Sequence, residues 1–280
     1  MEKFNGKALY QPKGKAAEYS EWAVNFYTGC SNDCDYCYCK RGVMAHIWDN
    51  KPHLKKCFKS MEHALRIFSK EIQDNLEEVK KKGILFSFTT DPMLPETRNL
   101  TLGAVEDALM FDVPVKILTK RADWLYDEHF DRFLNDDSYI LNERKDMVAF
   151  GFTLTGYDEK EPFACFNQDR IWAMNKLHDL GFKTFASLEP IISPAQTLNM
   201  FRAVAHCCDL FKIGLMSGVK KDYYKRNQME HLWGWIQHIV KDKPNLRIYL
   251  KDSFVEYFGI NRDDLPSSFV RMDYNLFVDD

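Results

Sequence analysis

Short runs rich in β-branched and aromatic residues alternate along this chain with stretches whose apolar residues recur every three or four positions. That alternation is the pattern of βα units wound around a parallel sheet. The runs are Ala23–Tyr27, Ile84–Thr90, Pro114–Thr119, Met147–Leu154, Phe182–Leu188 and Leu210–Leu215, with Leu246–Leu250 as a last strand candidate. Between them, Met61, Ala64, Leu65, Phe68, Ile72, Leu76 and Val79 hold one helical face, stopped by Lys80 to Lys82 and Gly83. Helices are expected over Leu100–Phe111 and Ala122–Leu134, then through Ile171, Met174, Leu177 and Leu180. Ser193-Pro194 supplies a helix start for Leu198, Phe201 and Ala205, and Met229, Leu232, Ile236 and Ile239 mark the next helix.

Six βα units are too few to close an eight-stranded barrel. The expected fold is α/β, a partial (β/α)6 TIM-like barrel of parallel strands with outer helices. No Pro/Gly/Ser linker interrupts the 280 residues, so they read as one domain, with a core over about 22–218 and a C-terminal extension over 219–280. Such barrels place functional groups at the C-terminal ends of their strands.

A formal net charge of −3 gives no protein-wide basic field for nucleic acid. The polar start, Met1-Glu-Lys-Phe-Asn-Gly-Lys7, is no secretory signal, and no run approaches the roughly 18–20 apolar residues that cross a bilayer. The expectation is a cytoplasmic protein with no membrane partner. There, eight cysteines read as metal ligands, reactive thiols or core residues before disulfides.

The densest chemistry follows the first strand: Tyr27-Thr-Gly-Cys30-Ser-Asn-Asp-Cys34-Asp-Tyr-Cys37-Tyr-Cys39. Cys30, Cys34 and Cys37 can converge on one face of a compact loop, and Gly29 permits a tight turn beside a metal. Iron–sulfur clusters usually take four cysteines, so three leave one iron open to a small molecule. The alternative is zinc, with Cys34-x-x-Cys37 completed by Cys39 or Cys57; His206-Cys207-Cys208, on an expected helix, are the other candidates.

Cys-x3-Cys-x2-Cys with an aromatic before the last cysteine resembles the signature of the radical S-adenosylmethionine (SAM) superfamily. The resemblance implies a [4Fe–4S] cluster on Cys30, Cys34 and Cys37, and SAM chelating the open iron. It further implies reductive cleavage to a 5′-deoxyadenosyl radical that abstracts hydrogen from substrate, and a reductant such as flavodoxin or ferredoxin as partner. A closer resemblance, over about Val24 to Gly218, is to the branch similar to spore photoproduct lyase. It rests on Phe86-Ser-Phe-Thr-Thr-Asp-Pro92, Lys116-Ile-Leu-Thr-Lys120, Gly151-Phe-Thr-Leu-Thr155 and Ala186-Ser-Leu-Glu-Pro-Ile191.

Carried over by position, this resemblance puts Tyr36 near the adenine, Thr90 and Asp91 close to SAM, Lys120 on its carboxylate and Thr153 at the same edge. Glu189 would touch ribose or form an ion pair. Lys120 and Thr153 also have ordinary readings, as a solvated charge and a β-former. Tyr38 matches a tyrosine implicated in hydrogen transfer, with Cys39 beside it, so these two are the catalytic candidates. Phe88 stands where the lyase carries a hydrogen-donating cysteine, which puts the thymine-dimer reaction in doubt here.

The loop Ser217-Gly-Val-Lys220-Lys-Asp-Tyr-Tyr-Lys-Arg226 interleaves cations and aromatics, a pattern that tracks phosphates and stacks bases when it is not simply a solvated loop. It points to a nucleotide or nucleic acid substrate. A peptide-modifying radical SAM enzyme is the rival, though no cysteine follows Cys208 to hold auxiliary clusters. A non-catalytic zinc or Fe–S protein is the reading of another class.

Overall fold

One curled sheet carries the molecule, and its strand order follows from the alternation of the sequence. The structure, a computed structural model, describes residues 3–278 apart from 128–129, 131–133, 135, 137–138, 221 and 244. Ten strands are described: β1 (Leu9–Tyr10), β2 (Ala23–Val24), β3 (Tyr27–Thr28), β4 (His53–Leu54), β5 (Ile84–Phe86), β6 (Val115–Thr119), β7 (Val148–Thr153), β8 (Lys183–Ile191), β9 (Leu210–Leu215) and β10 (Arg247–Leu250). Eight of them form one sheet in the order β1-β2-β5-β6-β7-β8-β9-β10. From β2 onward every pairing is parallel. The two-residue β1, too short to leave a pattern, adds an antiparallel edge, and β10 confirms the last strand candidate.

The α-helices are α1 (Met61–Asp74), α2 (Leu76–Lys82), α3 (Arg98–Met110), α4 (Ile140–Glu143), α5 (Asn167–Asp179), α6 (Pro194–Val204), α7 (Arg226–Asp242) and α8 (Asp252–Phe258). Ser60 caps α1 by accepting from the His63 N–H at 3.2 Å, and the helix buries Ala64, Phe68 and Ile72. The single helix expected over 61–82 breaks at Asn75, whose side chain donates to the Glu71 carbonyl. After β6 a short 3-10 turn, Asp123–Tyr126, replaces the start of the expected Ala122–Leu134 helix, whose remainder lies partly outside the described residues.

Two expected strands are shorter, for one reason. Asn25 leaves the sheet between β2 and β3, and its side-chain oxygen accepts from the Phe88 and Thr89 N–H groups at 2.8 and 3.2 Å. Those donors would otherwise extend β5; captured by Asn25, they turn the chain outward toward the site instead.

Alternate residues point into the barrel. Ala23, Leu85, Ala149, Phe185, Leu210 and Tyr249, from six strands, pack in one cluster closed by Leu276 of the C-terminal tail. Such mutual contact requires the sheet to curl. Gly151 makes room for the Phe185 ring: a Cβ there would lie 2.1 Å from a ring carbon.

Above that cluster the interior is ionic. Lys251 pairs with Glu189 at 2.6 Å and Glu18 at 3.4 Å. The Tyr19 hydroxyl donates to Glu189 at 2.6 Å, and the Lys251 ammonium lies over its ring. Lys212 donates to the carbonyls of Glu18 and Tyr19 at 2.7 and 3.3 Å. Glu18 and Tyr19 belong to the segment between β1 and β2, which crosses the barrel interior. Burial, then repulsion from Lys116 and Lys251, pushes the Lys212 ammonium well below the usual lysine range. No helix among the described residues is long and apolar enough to cross a membrane.

Candidate functional site

The C-terminal strand ends surround a cavity of about 470 Å³. All eleven residues singled out from the sequence line it, although they come from the cysteine loop and four separate strand ends.

The cysteine loop is fixed from below. Gly29 has φ +88°, and a Cβ there would fall 2.1 Å from the Lys51 carbonyl oxygen, so only glycine fits. The Cys30 N–H donates to Asp49 at 3.0 Å, and the Cys37 N–H to Cys34 at 3.2 Å. Lys40 holds Asp33 at 2.5 Å and lies over the Trp48 ring. Burial, reinforced by Asp91, pushes the Cys30 thiol up to about 12, and burial also raises Cys34 against the pull of Lys120. A hydrogen bond from Cys39 lowers Cys37 to about 6.

Among the described residues, no three His, Cys, Asp or Glu side chains converge closely enough to hold a single metal ion. Zinc ligands would have to meet at about 2.0–2.3 Å from one centre. A [4Fe–4S] cluster gives each thiolate its own iron and needs no such convergence. Of the other zinc candidates, Cys39 lines the same cavity without completing such a group, and the rest are elsewhere. Cys57 packs against the core, and Cys207 and Cys208 are buried just before β9, at the opposite end of the sheet and beyond the end of α6. The donor set therefore fits a cluster better than one zinc ion.

Asp91 is occupied. Its carboxylate accepts from Thr119 Oγ1 at 2.6 Å, Lys120 N at 2.7 Å, Asn32 Nδ2 at 2.8 Å and Met93 N at 3.0 Å. It ties the cysteine loop to the ends of β5 and β6. Thr90, next to it, is the opposite case: its hydroxyl is buried with no hydrogen-bond partner among the described residues. Lys120 Nζ has no hydrogen bond or ion pair among the described residues and lies 5.5 Å from the Tyr36 ring centre. Burial pulls its pKa down, but Cys34, Glu161 and Asp91 outweigh burial and the net shift is upward. The ammonium stays charged.

Thr153 ends β7 and lines the same wall. Glu189 is engaged as an ion pair with Lys251, the second of the two roles expected for it. Tyr38, more than half exposed, donates to the Phe88 carbonyl, and the Cys39 thiol donates to the same oxygen at 3.6 Å.

Sequence reasoning missed the group that holds Tyr36. The Tyr36 hydroxyl donates to Glu161, which pairs with Arg170 at 2.5 Å, both side chains fully buried. Arg170 also donates to Thr153 O at 2.7 Å and to Cys165 O at 2.8 and 2.7 Å. The signal was present: Arg170, Met174 and Leu177 share the buried face of α5. Trp48, whose indole N–H is buried without a partner among the described residues, was also missed, as were Lys13 and Lys15 on the segment before β2.

The Ser217–Arg226 loop is less free than its composition suggests. Tyr224 is buried, donating to Ile191 O at 2.5 Å and accepting from Met216 N at 2.9 Å. Arg226 pairs with Glu230 and packs on Tyr257 and Phe258. Lys220 and Tyr223 remain exposed, and Lys221 lies outside the described residues.

No family model matches the chain. It is 26% identical over 195 residues to the uncharacterized protein ORF301 of Acidianus two-tailed virus, a match covering 65% of this chain and 60% of that protein. It is 24% identical over 188 residues to the uncharacterized protein MJ0683 of Methanocaldococcus jannaschii, covering 62% and 61%. The chain thus matches about three fifths of the length of these relatives. Among solved structures it is similar to SuiB of Streptococcus suis, with a TM-score of 0.53 and 14% identity, over 90% of this chain and 54% of that one. SuiB bound to S-adenosylmethionine aligns with a TM-score of 0.49 and 13% identity, over 82% and 52% of the two chains. SuiB bound to precursor peptide SuiA gives 0.49 and 12%, over 90% and 55%. The likeness shows a shared α/β fold, a parallel-strand sheet flanked by helices.

Proposed function

We propose that this chain is a radical SAM enzyme, with a [4Fe–4S] cluster on Cys30, Cys34 and Cys37 and SAM in the adjoining cavity. One observation carries the reading. The cysteine triplet shares a cavity with a charged, unpaired ammonium, Lys120, and a buried, unpaired hydroxyl, Thr90. Buried polar groups are ordinarily satisfied, so an orphan pair beside three thiols calls for a ligand with polar groups of its own.

The amino-acid end of SAM has that character. Lys120 would take its carboxylate in a charge-assisted hydrogen bond, and Thr90 would accept from its ammonium. Asp91, already saturated, contributes by holding the Lys120 backbone and Asn32 in place. Tyr36, fixed by Glu161 and Arg170, offers a ring face to the adenosyl half, and Thr153 borders the same space. Held by Cys30, Cys34 and Cys37, a bound cluster would supply the electron for reductive cleavage of SAM to methionine and a 5′-deoxyadenosyl radical able to abstract hydrogen. The cavity walls, with Phe88, Leu118 and Leu215, exclude water from that radical. Since Phe88 has no hydrogen of the thiol kind to return, Tyr38 and Cys39 are the groups placed to do so, and a lyase reaction on thymine dimers is not proposed.

The test is anaerobic. Protein purified without oxygen is expected to be brown, to hold close to four irons per chain, and to form 5′-deoxyadenosine from SAM with dithionite. Changing Cys30, Cys34 and Cys37 together to alanine should abolish both; full iron content in that variant overturns the reading.

A further inference from the structure

The charges around the cavity do not balance in the way the interior does. Each acid facing it is engaged: Glu189 by Lys251, Asp33 by Lys40, and Asp91 by four hydrogen bonds. The cations at its mouth are not. Lys13 and Lys15 line the cavity from the segment before β2. Lys15 Nζ reaches Ser217 Oγ at 2.9 Å, and Arg41 Nη1, from the far end of the cysteine loop, reaches Ser217 O at 3.5 Å. Lys220 follows on the same loop. All four are exposed, and none has a carboxylate within ion-pair distance among the described residues. Three chain segments distant in sequence thus bring unpaired cations to one rim, on a chain whose net charge is −3.

A rim of this kind binds an extended anion. One small anion needs one or two such groups, whereas four cations spread over three segments suit successive phosphates along a strand. Tyr38, on the wall, and Tyr223, on the same loop as Lys220, are more than 40% exposed and so are open to stacking. The reacting groups lie inside the cavity, so a base must leave any stack to reach them, which favours single-stranded over duplex substrate. We infer that the substrate of this site is single-stranded nucleic acid, its phosphates held by Lys13, Lys15, Arg41 and Lys220 while one nucleotide enters the cavity. This rests on the enzymatic reading above.

The experiment is fluorescence anisotropy of a labelled 12-nucleotide single strand with the anaerobically reconstituted protein, across a salt series. Wild type should bind, and the reversal Lys15→Glu/Arg41→Glu/Lys220→Glu should weaken binding at least tenfold. It should also flatten the slope of log K against log salt by about 2, from three lost phosphate contacts at about 0.7 each. The control Lys59→Glu/Lys81→Glu/Lys241→Glu, with the same change in net charge on outer surfaces, should bind within threefold of wild type. Equal weakening in the control, equal affinity for polyglutamate, or a mononucleotide binding as tightly as the strand each overturns the inference. Iron content and 5′-deoxyadenosine formation are measured on the same wild-type protein. Iron and product without strand binding sinks the substrate inference alone; strand binding without iron sinks the enzymatic reading and leaves the rim standing.

Discussion

Arg170 is the residue on which the rigidity of the site can be measured. It is fully buried, pairs with Glu161 at 2.5 Å and donates three further hydrogen bonds to Thr153 O and Cys165 O. Arg170→Met is close in length but removes every donor, leaving the Glu161 charge buried and two carbonyls bare. Removing one partner of a buried pair costs about 3–5 kcal/mol. At about 2–4 °C per kcal/mol, the thermal midpoint should fall by about 6–20 °C. Glu161→Gln/Arg170→Met removes both charges and keeps an acceptor for the Tyr36 hydroxyl, so it should recover about half of that loss. The assay is urea unfolding under anaerobic conditions, followed by tryptophan fluorescence, for wild type, both single variants and the double. The reasoning fails if Arg170→Met costs less than about 1 kcal/mol, or if the two single losses add to the double within about 0.5 kcal/mol, the limit for independent sites.

Thr90→Val deletes a buried hydroxyl that has no partner among the described residues, so the melting temperature should hold or rise while SAM binding weakens about 10–150-fold, roughly one hydrogen bond to a charged group. Equilibrium dialysis with labelled SAM checks it, and an unchanged Kd removes Thr90 from the ligand site. Gly151→Ala drives a Cβ to 2.1 Å from the Phe185 ring and should cost about 1–3 kcal/mol, with Phe185→Leu restoring much of it in the double variant. Lys116 sits inside the barrel, where burial lowers its pKa from 10.5 to about 8. Between about pH 8 and 10.4 the unfolded chain binds the proton that the native lysine has released, so wild-type stability should climb with pH through that window. Lys116→Met should therefore gain most, roughly 2–4 kcal/mol, below pH 8 and converge with wild type above 10.4; a pH-independent difference in chemical denaturation would refute the assignment.

The fold was legible wherever hydrophobic period and length cooperated. Every run of five or more β-forming residues became a strand of the parallel sheet, because burial on both faces leaves a continuous apolar signature. What escaped was decided by single side chains acting at a distance. Asn25 ends β5 by capturing two N–H groups from a strand about sixty residues away, and no local pattern announces that. The site was legible for a related reason. Parallel strands deliver their C-terminal ends to one rim, so motifs following separate strands had to meet, and they did. Their roles were less legible than their places. Asp91 and Glu189 looked like ligands by type, yet both spend their oxygens on the protein. Arg170, an ion on an otherwise apolar helix face, was the readable clue to Glu161 and Tyr36.

Within one barrel the polar groups fall into two populations, and the boundary between them locates the chemistry. Below, Lys212, Lys251, Glu18, Glu189 and Tyr19 satisfy one another through distances of 2.6–3.4 Å. Gly214 is what allows it, since a Cβ there would come within 2.9 Å of Lys251 and 3.0 Å of Glu189. At the strand ends, Lys120 Nζ and Thr90 Oγ1 have no hydrogen-bond partner among the described residues. Thr90 is nearly as buried as Lys212, and Lys120 is partly buried, so exposure alone does not explain the difference. A chain able to satisfy Lys212 and Lys251 with a crossing segment and Glu189 could have closed the upper layer in the same way. It instead leaves the Lys120 ammonium in the cavity that the cysteines line. An unpaired cation in a shielded space is costly unless an anion arrives to meet it. On the proposed function that anion comes from outside the chain, and Lys120, more than the thiols themselves, would then separate a ligand-binding site from a structural metal loop.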